Sequence, residues 1–143
     1  MKADAETEAA VMSVLNRLAE GYAKRDLDGV LSIFAPDPDT VMFGTGADEK
    51  RLGLAEIKSQ VERDWSQSEA TSLTYEWTSI SSAGAVAWVA ADVTFGIKAG
   101  GQELTFPARM TGVLEKRGDR LLFVQGHFSF PAAGEAEGES FPT

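Results

Sequence analysis

The sequence predicts an α+β domain: three N-terminal helices packed on a curved antiparallel sheet and enclosing a pocket. Three observations predict it. Apolar residues recur every 3.6 positions as far as Trp65 and every two positions after it. The later segments are long, and the links between them are short and glycine-rich. Helices come first and strands afterwards, instead of alternating with them, which is the α+β pattern.

The first helix is expected over residues 5–25, where Val11, Val14, Leu15, Leu18 and Tyr22 form one stripe. Asp26 can cap a second helix with the stripe Leu27, Val30, Leu31 and Phe34. The Pro36-Asp37-Pro38-Asp39 run stops it, because proline cannot donate a helical hydrogen bond. Val41-Met42-Phe43 reads as a short strand and 44–53 as a polar loop. A third helix carries Leu54, Ile57, Val61 and Trp65 on one side. Four strands follow, over roughly 71–81, 85–97, 103–116 and 121–130, linked as an antiparallel meander. Residues 1–131 are read as one domain and 132–143 as a loose acidic tail without an apolar pattern.

Composition narrows the functional classes. The 143 residues carry a formal charge of −9, which disfavours nucleic acid and anionic membrane surfaces as partners. No apolar run approaches the ~18 residues of a membrane span. There is no cysteine, so disulfides and thiolate chemistry are excluded. That is compatible with a reducing cytoplasm, the expected location. The acidic loop residues Asp37, Asp39, Asp48 and Glu49 match no EF-hand spacing and read as turn and cap residues. Gly44-Thr45-Gly46 lacks the rest of either glycine fingerprint for phosphate. No metal and no cofactor are expected.

The Gly100-Gly101 turn sets a register. As a two-residue hairpin loop it pairs position n with 201 − n, so Ile97, Phe95, Val93 and Ala91 face Leu104, Phe106, Ala108 and Met110. Asp92 then lies opposite Arg109 on the other face. For the last hairpin a three-residue loop, Gly118-Asp119-Arg120, pairs n with 238 − n. That leaves fewer polar groups buried than a two-residue loop, which would reverse the faces. One face is then continuously apolar. The other carries Trp88, Asp92, Arg109, Thr111, Gln125, His127 and Ser129, a mixed surface suited to a two-fold homodimer.

Three stretches resemble the SnoaL-like, ketosteroid-isomerase-like superfamily, which shares the cone fold of nuclear transport factor two. They are the run from Ala35 to Gly46, Leu52-Gly53-Leu54-Ala55-Glu56-Ile57, and Arg109 to Leu114 continuing to Gln125-Gly126-His127-Phe128-Ser129-Phe130-Pro131. The closing His-x-Ser strand is also similar to the association domain of calcium/calmodulin-dependent kinases. The resemblance implies that helices and sheet form a cone-shaped α+β barrel. It implies no single activity, since the superfamily holds isomerases, cyclases, dehydratases, ligand binders and assembly modules.

Candidate chemistry follows from residue type. His127 is the sole histidine, and an Asp92/His127 pair could transfer protons, or be part of a structural network at a dimer face. Glu76 could project into the cone as a general base, or be a solvated edge residue. Tyr22, Phe34, Phe43, Trp65, Phe106, Met110 and Phe128 are expected to line the pocket. Gly112 and Gly126, opposite each other on the apolar face, are expected to leave room in it. The leading expectation is a homodimeric binder of a hydrophobic small molecule with a mostly apolar pocket. The alternatives are a cofactor-independent isomerase, cyclase or dehydratase, and an assembly module. A titratable side chain projecting into the cone separates the enzyme from the others.

Overall fold

Asp4 opens the first helix by accepting a hydrogen bond from the Thr7 backbone N–H at 2.8 Å. In the computed structural model, which describes residues 1–142, α1 runs Ala5–Lys24 and buries Val11, Val14, Leu15 and Leu18. It ends at Arg25, a left-handed residue (φ 57°). The Arg25 guanidinium donates to the carbonyls of Trp65 and Ser68, tying the end of α1 to the end of the third helix.

Asp26 caps α2 as expected, but α2 is short, Leu27–Leu31. Phe34, expected on its stripe, lies beyond it in a parallel bridge with Phe123. Two backbone bonds hold that bridge, Ala35 N–H to the Phe123 carbonyl and Phe123 N–H to the Ile33 carbonyl. Next come β1 (Val41–Phe43), β2 (Lys50–Leu52), α3 (Gly53–Ser66), β3 (Ala70–Ala83), β4 (Val86–Ala99), β5 (Gln102–Arg117) and β6 (Arg120–Ser129).

The strand order is β2-β1-β6-β5-β4-β3. The sheet is mixed, not purely antiparallel, because β1 runs parallel to β6, with Val41 beside Gln125 and Phe43 beside His127. The polar loop expected over 44–53 contains β2, which pairs antiparallel with β1. At the opposite edge Lys2 bridges Ser81, and Ala3 donates its N–H to the Ile80 carbonyl.

The 201 − n register holds along all of β4 and β5, from Val86–Glu115 to Ala99–Gln102, with Asp92 opposite Arg109. The last hairpin corrects the expectation in an instructive way. Its loop has two residues, since Arg117 pairs with Arg120. A bulge at Val124 then adds one residue to β6, and from Val113–Gln125 onward the pairing follows the 238 − n register. Phe123 thereby points into the core and Gln125, His127 and Ser129 point out. A second bulge, at Glu76 in β3, reverses the parity of that strand between Tyr75 and Trp77. Bulges bend and twist the strands that carry them, and two of them help curl this sheet around the helices.

The core lies between the concave face and α1, α2 and α3, with Leu15, Val30, Ile33, Val93, Leu114 and Phe123 almost fully buried. Residues 132–142 contain turns but no helix or strand, and all are exposed; Thr143 lies outside the described residues. Among the described residues no helix is long and apolar enough to cross a membrane.

Candidate functional site

On α3, Ile57, Gln60, Val61 and Asp64 fall at i, i+3, i+4 and i+7, one face of the helix. Two of these four are polar, and that face looks into the cone. Tyr22, in the last turn of α1, meets it from the other side. Its backbone carbonyl accepts from Trp65 Nε1 and Thr71 Oγ1, both at 3.1 Å. Its ring packs against Trp65 with centroids 6.1 Å apart. So held, the Tyr22 hydroxyl donates to Asp64 Oδ2 at 2.8 Å.

Gln60 connects this pair to the chain around β2. Its Nε2 donates to Asp64 Oδ1 at 2.7 Å and to Glu49 Oε1 at 2.9 Å. Its Oε1 accepts from Arg51 Nε at 2.9 Å. Glu49 also accepts from Arg63 at 3.0 Å and, through Oε2, from the Gly46 N–H at 2.6 Å. Arg63 reaches on to Asp48, so the 44–49 loop is clamped to α3. No buried side-chain nitrogen or oxygen among the described residues lacks a partner.

Between the helices and the concave face lies a cavity of about 410 Å³. The sheet supplies an apolar wall with Leu73, Phe95, Ile97, Phe106, Phe128 and Phe130. The facing wall is mixed, with Tyr22, Glu49, Arg51, Gln60 and Asp64 beside Leu18, Val30, Ile57 and Val61. Burial in this setting pushes the Asp64 carboxyl above the ordinary carboxylate range, against the lowering effect of hydrogen bonds from Tyr22 and Gln60. Burial, and then the charge of Asp64, push the Tyr22 hydroxyl up as well. A carboxyl with a raised pKa is a stronger base than an exposed one, and so a better proton acceptor when ionised. Asp64 is the acid inside the cone best suited to that role.

The residues expected at the pocket divide. Tyr22, Phe34, Phe106 and Phe128 line the cavity. Phe43 does not; it sits on the outer side against the His127 ring, centroids 5.4 Å apart. Trp65 supports Tyr22 from behind, and Met110 is buried in the core. Gly112 and Gly126 leave no room in the cone. A Cβ on Gly112 would strike the Phe123 ring, and one on Gly126 would strike the Met42 sulfur. Those two side chains fill the space that the glycines vacate.

The expected proton-transfer candidates lie elsewhere. Asp92 and His127 are exposed on the convex face, with Arg109, Thr111 and Gln125. Trp88 and Ser129 are half-buried there. Asp92 is aligned with Arg109 and Ser129, and His127 with Thr111 and Ala90. Asp92 and His127 are therefore two strands apart, roughly 10 Å, beyond hydrogen-bond reach. Asp92 and Arg109 share the register, yet no ion pair joins them among the described residues. Glu76 is the exposed bulge residue of β3 and accepts from Thr94 Oγ1 outside the cone. Among the described residues no group of three or more His, Asp or Glu is placed to hold a metal ion.

Sequence reasoning passed over Gln60 and Asp64 and placed Glu49 among the turn acids. The available signal was two polar residues on the apolar stripe of α3 beside Ile57 and Val61. Polar groups at core positions need a reason, and here the reason is the cavity.

Comparison with known proteins agrees with this architecture. No curated protein matches the sequence. A nuclear transport factor 2-like superfamily protein from Salmonella enterica superimposes with a TM-score of 0.83 at 19% identity, covering 97% of this chain and 100% of its own. A provisionally assigned dehydratase of the NTF2-like family from Streptomyces avermitilis gives 0.81 at 16% identity, over 91% of this chain and 100% of its own. A provisionally assigned calcium/calmodulin-dependent protein kinase II association domain from Xanthomonas campestris gives 0.76 at 22% identity, over 92% of this chain and 90% of its own. At these identities the likeness is one of fold. The model of the SnoaL-like domain matches residues 11–133, most of the chain, and the protein belongs to that family.

Proposed function

We propose that this SnoaL-like domain takes an apolar carbonyl compound into its cone and moves a proton on it without a cofactor. The observation that carries the reading is the Tyr22–Asp64 hydrogen bond on the wall of a cavity whose sheet side carries Phe95, Phe106 and Phe128. Asp64 is the general base. It removes a proton from the carbon beside the carbonyl, and the electron pair moves onto the carbonyl oxygen as an enolate. Where the carbonyl compound is a β,γ-unsaturated ketone, Asp64 returns the proton at the γ-carbon of the dienolate, giving isomerisation; where it is a β-hydroxyketone, the hydroxyl takes up the proton from Asp64 and leaves as water while the enolate electrons form the double bond, giving dehydration. Tyr22 and Gln60 hold the carboxylate in place, and the phenylalanine wall excludes water and accepts the apolar body of the substrate.

The test is solvent deuterium incorporation in D2O, followed by NMR on a panel of aryl and alicyclic ketones and β-hydroxyketones. The parent protein should label the carbon beside the carbonyl faster than buffer, and Asp64→Asn should not. Labelling equal in both proteins, or equal to buffer, would overturn the reading.

We also propose a homodimer through the convex sheet face, in the cytoplasm. Trp77, 54% exposed, lies with Trp88, Asp92, Arg109 and His127 on that face, so a second copy would cover aromatic surface and bring acids to bases. Arg109→Glu should shift the mass seen by light scattering from two chains towards one. An unchanged dimer would remove Arg109 from the interface.

A further inference from the structure

Arg51 stands out among the charged residues of the wall facing the sheet. Glu49 is engaged by Arg63, Gln60 and the Gly46 N–H, and both oxygens of Asp64 are engaged by Tyr22 and Gln60. Arg51 spends only its Nε, on Gln60. Among the described residues its two terminal nitrogens donate no hydrogen bond, and it joins no ion pair, although it is half-buried and lines the cavity. Four N–H donors are left in one plane, the fork geometry that suits two parallel bonds to a carboxylate.

Arg51 is also held in place. It sits on β2, between β1 and the start of α3, so its backbone is fixed by the sheet. Gln60 accepts at the Nε and is in turn held by Glu49, Arg63 and Asp64, which leaves little rotational freedom at the guanidinium. The other cation of the cluster, Arg63, is consumed by Asp48 and Glu49.

We infer that Arg51 is an anion-binding subsite of the cavity, and that the natural ligand is an amphipathic carboxylic acid: an apolar body on the phenylalanine wall, with its carboxylate on the Arg51 fork. One carboxylate engages the two terminal nitrogens that no side chain holds. A doubly charged phosphate monoester would bring a second negative charge beside Glu49 and Asp64, which disfavours it. The inference rests on the cavity being a ligand site, as in the proposed function, and names the substrate class of that site. It does not depend on proton transfer taking place there.

The experiment compares 4-phenylbutyrate with its neutral isostere 4-phenylbutyramide by isothermal titration calorimetry at pH 7. The parent protein should bind the carboxylate about tenfold to a hundredfold more tightly than the amide, as expected for a charge-assisted bidentate contact. Arg51→Gln should abolish the preference, and continued binding of the amide by the variant reports an intact cavity. Arg51→Lys, retaining the charge without the fork, should keep part of the preference. If the parent binds both probes equally, or if Arg51→Gln keeps the preference, the subsite is overturned and the cavity reading stands. If neither probe binds the parent, the subsite and the apolar-ligand reading both fall.

Discussion

Asp64 and Asp92 lie on opposite sides of one sheet, each with polar neighbours, and only Asp64 is withdrawn from water. Asp92 is exposed on the convex face across from Arg109, where water solvates the carboxylate. Asp64 faces the cavity, where burial disfavours its charge and Tyr22 and Gln60 share its oxygens. At 4 Å a unit charge pair is worth about 1 kcal/mol in water and about 4 kcal/mol at an effective dielectric constant of 20. The same side chain is a solvated surface group in one place and a largely desolvated one in the other. What separates them is the desolvation that the helices impose.

That contrast can be broken or sharpened by substitution. The largest expected effect is on proton exchange. Asp64→Asn should slow labelling of a substrate ketone by about 10²- to 10⁴-fold, the range for loss of a general base, while Asp92→Asn and His127→Gln leave it unchanged. Equal losses at Asp64 and Asp92 would erase the distinction.

Next comes the packing that separates the two faces. Phe123→Ala should cost about 3–5 kcal/mol in urea unfolding, since the ring is almost wholly buried and fills the gap at Gly112. Gly112→Ala should cost less, about 1–3 kcal/mol, by driving a methyl into that ring. A neutral Gly112→Ala would mean that Phe123 swings aside freely. On the convex side Thr111→Ala should stay within about 0.5 kcal/mol.

The subtlest effect is on pH dependence. The folded-state pKa of Asp64 is raised from its ordinary 3.8, so the folded state favours the protonated form. Its contribution to stability is present below that ordinary value and is lost as pH rises through the raised one. Asp64→Asn removes this loss, so the urea midpoint of the variant relative to the parent should improve as pH climbs through that window. Tyr22→Phe removes a hydrogen bond that lowers the Asp64 pKa, so the carboxyl should titrate higher still, as read by carbon-13 NMR of its carboxyl carbon. A downward move would mean that Tyr22 does not stabilise the ionised form.

How much of this was legible depended on how local the determinants are. The β4–β5 register followed from one glycine turn and strict alternation, both within about thirty residues. The β6 register was read correctly for Gln125 to Ser129 from apolar matching, although the loop length was wrong. Two errors cancelled, because an extra residue in the loop and an extra residue at the Val124 bulge shift the pairing equally. The parallel contact of β1 with β6 left no local trace, since nothing in Val41-Met42-Phe43 announces a partner near residue 126. The site was missed for a related reason. Arg51 sits on a three-residue strand with no apolar alternation, and Asp64 lies on a helical stripe whose apolar members alone attracted notice. The glycines misled because a missing side chain leaves space only if no neighbour claims it.

The parallel contact between β1 and β6 also bears on how the molecule assembles. Val41 cannot find Gln125 until α3 and the three long strands β3, β4 and β5 have been made. Sequence-distant pairings close large loops and are slow to form. During synthesis the β1–β2 hairpin, which carries Arg51 and is followed by α3, must therefore wait without its sheet partner. The sheet wall and the helix wall become a single container only when β6 enters between β1 and β5, so β6 acts as the keystone of the site although Phe128 is its only residue on the cavity lining.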